Sequence, residues 1–332
     1  MYDVICVGSN TYDVFVKTDA EVREVISHQV INGKNTHISD KGIVYPVGDK
    51  ILINHLDFQI GGGGTNCAVA LAKLGFKTAY LGKIGRDDNG VKVYECLKNS
   101  NVDFIGSLGD QTGFSVILDS VYEDRTILTS KGCNDQLKYS ELDLKKTDTK
   151  MLYCSSMMGE SFETLKKIIT YFKKKGAIVS FNPSLYMTKD KRINTILKNL
   201  DLLIFNKEEA FSLSGTEDLK SAFSHLQSKV KGIIVITDGK NGAYCLHKKK
   251  VYRALPNKKL KIVETTGAGD AFASGFSSGL LEKADIKECM LRGLILSEAV
   301  IQDYGAKTNL LTEKNLRSKL KKDKRKVEII KL

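Results

Sequence analysis

The chain has 332 residues, 42% of them hydrophobic, and a formal net charge of +12, enough apolar material for one large buried core or two ordinary ones. No apolar run approaches the roughly 20 residues that span a bilayer, and Met1-Tyr2-Asp3-Val4 lacks the basic stretch and apolar core of a signal peptide, so the sequence predicts a soluble cytoplasmic protein without membrane attachment. Residues 312–332 carry nine Lys or Arg against three acids and no aromatic residue to stack on bases; this reads as a solvated basic tail, not a specific nucleic-acid site.

Tyr2-Asp3-Val4-Ile5-Cys6-Val7-Gly8 is apolar, rich in β-branched residues and stopped by glycine, the pattern of a buried first strand. The loop after it holds Asn10 and Asp13. Ligands of α/β sheets gather at the carboxyl ends of strands, so both are candidates to hydrogen-bond a polyol; a turn cap is the alternative for Asp13. From Val14 to Phe58, β-rich pieces alternate with turns at Asn32-Gly33, Lys41-Gly42 and Val47-Gly48-Asp49, which predicts a small β lid inserted in the main domain.

Gly61-Gly62-Gly63-Gly64-Thr65-Asn66 then feeds an apolar run from Ala68 to Leu74 closed by Gly75, a glycine loop opening a helix. Gly62 and Gly63 let backbone approach a ligand, and Asn66 offers it a donor and an acceptor; a hinge with Asn66 as helix cap would use the same residues. Thr78 to Gly82 reads as a strand and Lys83 to Gly90 as a loop entering a helix that runs to about residue 99, with Arg86 either an anion contact or a surface arginine. Phe114–Leu118 and Thr126–Leu128, joined through Glu123-Asp124-Arg125, form a hairpin that completes the lid, and Gly132-Cys133-Asn134 follows.

Beyond Met151, apolar strand-like runs at 151–155, 177–181, 201–206 and 232–237 alternate with charged helical ones, predicting a parallel doubly wound sheet with helices on both faces. Polar residues cluster where these strands end: Asn182, then Asn206-Lys207-Glu208-Glu209, then Thr237-Asp238-Gly239-Lys240-Asn241-Gly242. Asn206 and Glu209 could equally be an N-cap and a first-turn acid. In Glu264-Thr265-Thr266-Gly267-Ala268-Gly269-Asp270-Ala271-Phe272, two glycines flank a small residue ahead of a helix. The amides of Gly267, Ala268 and Gly269 would form an anion site there, and the helix dipole would keep Asp270 ionised as a base. Gly275 to Leu281 and Ile286 to Ile301 read as two further helices. The seven cysteines are scattered without Cys-x-x-Cys or zinc spacing and read as reduced, mostly buried thiols.

Taken in order over residues 2–311, these segments resemble the ribokinase-like (PfkB) carbohydrate-kinase family. The glycine run with Asn66 is similar to its first signature, and Thr265 to Asp270 to its second. The resemblance implies a three-layer α/β/α ribokinase-like domain over residues 1–311. Its lid would come from about 14–58 and 112–130, with 312–332 as the tail. It implies an ATP-dependent kinase acting on a hydroxyl of a sugar or a nucleoside, with Asp270 as catalytic base and Gly267, Ala268 and Gly269 as anion hole. Asp13 and Asn134 fall on the substrate side with Asn10, Gly62, Gly63 and Asn66. Asn182, Asn206, Thr237, Gly239 and Gly242 fall on the nucleotide side, with Lys240 a lesser candidate, and Glu209 would hold Mg2+ through water. Glu264 and Ala306 mark a monovalent-cation site, K+ in some relatives, although Glu264 stands where the family has aspartate. The glycine run lacks a lysine that some relatives carry, which argues against a phosphorylated sugar, while Arg125 on the lid argues for one. A homodimer through the lid edge is expected; a non-catalytic sugar- or nucleotide-binding regulator is the alternative to the enzyme.

Overall fold

The computed structural model describes residues 1–19, 22–31, 34–119 and 125–331, and the side chains of all of these except 22–31, 34–43, 119 and 125. The first half runs β1 (Tyr2–Val7), β2 (Thr11–Lys17), β3 (Val22–Ile31), β4 (Lys34–Ile43), β5 (His55–Gly61), α1 (Gly63–Lys73), β6 (Thr78–Leu81), β7 (Lys83–Gly85), α2 (Asp88–Asn99), β8 (Val102–Phe104), β9 (Ser107–Gly109), β10 (Gly113–Asp119) and β11 (Arg125–Ser130). The second runs β12 (Thr149–Ser155), α3 (Gly159–Lys174), β13 (Ile178–Asn182), α4 (Leu185–Thr188), β14 (Leu202–Asn206), α5 (Lys207–Ser214), α6 (Leu219–Lys229), β15 (Ile233–Thr237), β16 (Ala243–His247), β17 (Lys250–Ala254), α7 (Ala268–Leu281), α8 (Ile286–Val300), α9 (Glu313–Lys322) and β18 (Glu328–Ile330). No helix among the described residues is long and apolar enough to cross a membrane.

A 10-stranded sheet in the order β18-β17-β16-β15-β14-β13-β12-β1-β6-β8 forms the middle layer. The seven strands from β15 to β8 are parallel, whereas β16, β17 and β18 pair antiparallel. A parallel strand is covered on both faces, which is why β1 is a continuous apolar run. Its alternate residues go opposite ways: Ile5 and Val7 join Phe162, Leu165 and Phe172 of α3 and Phe223 of α6, while Val4 and Cys6 join Leu71 of α1, Phe272 and Phe276 of α7 and Leu294 of α8. The three-layer expectation therefore holds.

A separate 4-stranded sheet, β11-β10-β2-β5, makes the lid, and β3 pairs with β4 as its own ribbon. The lid begins at Thr11, three residues before the expected start, because β2 and β5 pair as far as Thr11 with Gly61. Strand alternation puts Asp13 on one face with Gln59 and Ser115, and Val14 on the other with Phe58 and Val116. The turns expected at Asn32-Gly33 and through Glu123 and Asp124, and the Arg125 side chain, lie outside the described residues.

Residues 312–332, expected as a solvated tail, differ most from the sequence reading. Thr312 caps α9, Leu316 is fully buried, and β18 adds an edge strand beside β17. The attachment is ionic as well as apolar. Arg292 of α8, 1% exposed, donates to Glu288 at 2.9 Å and to Glu282 beyond α7 at 2.7 Å, and lies 3.8 Å from Glu313 of α9. Arg317 of α9 reaches the same Glu282 at 2.7 Å. Charge counted along the chain hid an amphipathic helix whose acids and bases face partners.

Candidate active site

Where β1, β12, β13, β14 and β15 end, a cleft of about 340 Å3 is lined by Ser9, Gly63, Ser155, Ser156, Asn182, Asn206, Glu209, Thr237, Gly267, Gly269 and Asp270. Its position follows from parallel strands, which all deliver their carboxyl ends to one side. A roomier cavity of about 550 Å3 between Leu255–Leu260, the end of α8 and α9 holds none of the expected residues. The smaller cleft is the one that brings Asp270, in the first turn of α7, together with Glu209.

That terminus belongs to α7. Gly267 caps it in a left-handed conformation (φ 75°), and a Cβ there would meet the Ala306 Cβ at 2.4 Å, so backbone and packing both require glycine. A Cβ on Gly269 would meet nothing within 4 Å, so the turn is open on that side, whereas the Ala268 N–H is already donated to Thr265 O at 3.2 Å. At the other end of the cleft, α1 starts against β1: a Cβ on Gly64 would lie 2.8 Å from the Gly8 carbonyl carbon. The four-glycine run is a site of close packing and not a hinge.

Asp270 stands in the first turn of α7. Its Oδ2 accepts from the Asn66 amide at 2.8 Å, and its Oδ1 lies on the Gly63 side. The dipole was expected to dominate its titration. Burial instead pushes the carboxyl above its ordinary value, with the Asn66 bond and the charge of Lys307 pulling back. Glu209, across the cleft, is pushed up to about 7, first by burial and then by the neighbouring Asp270 and Glu208 charges. Asn206 Oδ1 accepts from the Glu209 N–H at 2.8 Å and Glu209 Oε2 accepts from the Asn206 N–H at 2.8 Å. The two thus form a capping box, and both still line the cleft.

Several expected site residues stand elsewhere. Asn10 is fully buried: its Nδ2 donates to the Tyr80 hydroxyl at 2.9 Å and to Lys83 O at 2.7 Å, and its N–H donates to Asn134 Oδ1 at 3.0 Å. Asn134, 2% exposed, donates in return to Asn10 O at 2.8 Å. These two are a latch that holds β1 to the start of β2, and they leave no donor for a polyol. Asn66 spends its amide on Asp270 and on Lys307. Gly62 caps α1 behind the cleft, and Gly239 and Gly242 shape the turn after β15, which reaches the cleft only through Thr237. Asn182 lines the cleft while its Nδ2 donates to Ile204 O at 2.8 Å. Glu264 accepts from the Gly305 N–H at 2.9 Å, its longer arm reaching the loop that contains Ala306.

Asp13 stands on the lid face that it shares with Gln59 and Ser115. Burial raises its pKa against the hydroxyls of Thr11 and Ser115, and its Oδ1 is buried with no hydrogen-bond partner among the described residues. Missed altogether were Lys131, which lines the cleft 5.3 Å from the Tyr186 ring centroid, and Lys307. A single lysine after a Gly-Ala pair has no periodicity that would announce it.

The chain matches the family described as pfkB family carbohydrate kinase over residues 5–313. It is 31% identical over 255 residues to a protein of Archaeoglobus fulgidus named uncharacterized sugar kinase, covering 73% of this chain and 98% of that one. It is 27% identical to the cytidine kinase of Thermococcus kodakarensis, covering 81% and 95%. Among solved structures, the Methanocaldococcus jannaschii nucleoside kinase superposes with a TM-score of 0.75 at 23% identity, covering 97% and 99%. The ribokinase of Giardia lamblia gives 0.80 at 17%, covering 97% and 99%.

Proposed function

The chain belongs to the pfkB family of carbohydrate kinases, and from that premise we propose that Asp270 is the base of its reaction and the cleft at the head of α7 the place where that reaction occurs. The enzyme is a phosphotransferase with an alcohol group as acceptor. The observation that carries the assignment of the site is the meeting of Asp270, Gly267 and Gly269 at the head of α7 and Glu209 in one cleft.

The donor is ATP with Mg2+, which when bound supplies the γ-phosphoryl group and neutralises its developing charge. The residues fit that donor. A helix N-terminus that opens on the cleft at Gly269 attracts an anion, and Thr237, Asn182 and Asn206 line the approach to it. Glu209 is a carboxyl held near neutrality until a cation favours its charged form. Among the described residues no group of three or more His, Cys, Asp or Glu could hold a metal ion, so Mg2+ would rest on nucleotide oxygens, water and Glu209.

Asp270 has one oxygen committed to Asn66 and the other free to take the proton of an acceptor hydroxyl. The α7 amides would stabilise the charge spread over the transferring group. Asp13, with its unpaired Oδ1 on the inner lid face, would accept from a second hydroxyl of the acceptor and so orient the first. A sugar or a nucleoside satisfies this pattern. The relatives' names include both, a ribokinase of Lactococcus lactis and the cytidine kinase above. The opposite lid face exposes Leu56, Phe58 and Leu128, on which a homodimer would close.

ADP release with ATP and Mg2+ over a panel of free sugars, sugar phosphates and nucleosides tests the assignment, with Asp270→Asn as control. One acceptor class should give turnover, and the folded variant should lose at least 100-fold of it. A folded variant turning over near the wild-type rate overturns the role of Asp270.

A further inference from the structure

Lys307 follows Ala306 in the loop after α8, and its Nζ makes two bonds inside the protein, to the Ile60 carbonyl and to Asn66 Oδ1, each at 2.5 Å. Asn66 in turn donates its Nδ2 to Asp270 Oδ2 at 2.8 Å. The chemistry of these groups permits only one polarity along the chain. An ammonium has donors and no acceptor, an ionised carboxylate has acceptors and no donor, and an amide has one of each. Turned over, the Asn66 amide would set its NH2 against the ammonium and its oxygen against the carboxylate, so both contacts would become repulsive.

We infer that Lys307 is a positioning residue of this active site: it fixes the Asn66 amide, and through it the Asp270 carboxylate, in the orientation that receives the acceptor's proton, and it does so with the lid strand as its second anchor. This rests on the reading of Asp270 as base. The second anchor matters because Ile60 is the penultimate residue of β5, a lid strand. β5 also meets the same loop through Gln59, whose Nε2 donates to Tyr304 O at 3.5 Å, and through His55, whose ring lies 6.0 Å from that of Tyr304. A displacement of β5 would remove one of the two acceptors of Lys307 and loosen the orientation of the base. Lid seating and base alignment are thereby joined in one side chain.

The electrostatic surroundings agree. Asp270 is faced by Asn66 and Cys67 from α1, by Tyr153 from β12, by Glu209 from α5 and by Lys307; Lys307 is also faced by Cys96 from α2, by Cys67 and by Asp13 from β2, which in turn has Glu264 near it. Lys307 is the cation of this set, so without it the burial of Asp270 is offset only by the hydrogen bonds of Asn66 and Cys67.

The test uses the full chain carrying Lys307→Met, Lys307→Arg and Asp270→Asn, with the carboxyl resonance of Asp270 followed by carbon NMR across pH 4–9 and assigned by its disappearance in Asp270→Asn. In Lys307→Met we expect that carboxyl to bind its proton about tenfold more tightly, and Lys307→Arg to restore most of the difference. The acid limb of kcat/KM for ADP release should move to higher pH by the same factor. KM for ATP should change less than threefold, and Lys307→Met should add little when combined with Asp270→Asn. An Asp270 titration and a pH profile unchanged in Lys307→Met overturn the inference, even where Asp270→Asn is inactive. An active Asp270→Asn would instead overturn the base reading, and the resonance would still report whether Lys307 controls that carboxyl. If Lys307→Met melts below the assay temperature, Lys307→Gln takes its place, with the same titration deciding.

Discussion

Replacing Arg292 by Met isolates the contribution of the ionic cluster beneath α7, α8 and α9. Methionine keeps the apolar stem and removes a guanidinium that is 1% exposed and bonds Glu282, Glu288 and Ser278. Breaking a buried ion pair from one side costs about 3–5 kcal/mol. The lower end applies here, because the carboxylates left behind are not stranded. Glu282 and Glu313 both keep Arg317, at 2.7 and 2.6 Å, and Glu288 is 44% exposed and can rehydrate. We therefore expect a loss of about 3 kcal/mol, which lowers the melting temperature by roughly 4 °C. The loss should also depend on pH. Burial already raises the Glu313 carboxyl, and Arg292 is the largest influence lowering it again. Without that charge the folded-state pKa rises further above the unfolded value. The stability this group contributes is then complete at low pH and lost as pH rises through the raised value. The deficit measured by thermal scanning should be smaller at pH 5 than at pH 8. A deficit under about 1 kcal/mol, or one equal at both pH values, would refute the claim that this cluster holds the C-terminal segment in place.

Glu209 sits at about 7 through burial and its acidic neighbours, so binding of Mg2+ with ADP should release a proton below that pH and tighten as pH rises toward it. Calorimetry in buffers of different ionisation heat at pH 6.5 measures the release; the same release from Glu209→Gln would sink the assignment. The lid pairing is checked by sedimentation. The wild type should run at twice 36.8 kDa, with Phe58→Asp falling to the monomer, and a monomeric wild type at micromolar concentration would remove the dimer from the proposal.

The central strands were legible because each is an unbroken apolar run bounded by glycine or polar residues: 201–206 became Leu202–Asn206 and 232–237 became Ile233–Thr237. Asp270 and its glycine turn were legible for a related reason, a local motif in which turn, helix start and acid are contiguous. The C-terminal helix was not read, although Leu316 and Leu320 stand four apart among its charges, because a surplus of lysine outweighs two leucines in any composition count. Asn10, Asn66 and Asn134 were expected to bind substrate, and in the structure their amides bond groups within the protein. An amide offers the same donor and acceptor to a sugar hydroxyl and to a buried peptide group, and only distance in space distinguishes the two. Lys307 was invisible for the same reason, since its partners are residues 60 and 66.

The place of β1 between β6 and β12 sets a timetable for assembly. Its neighbours are Thr78–Leu81 on one side and Thr149–Ser155 on the other, so this strand is completed only after residue 155 has been made. At synthesis rates of about 5–20 residues per second, that delay is roughly 7–30 s. For that time the nascent chain carries Val4, Ile5, Cys6 and Val7, all fully buried in the finished protein, with an open strand edge beside them. Such long-range pairing is slow to form, so these residues stay exposed to association with other chains in the meantime. Refolding from denaturant should accordingly be more sensitive to protein concentration than the stability of the native state suggests.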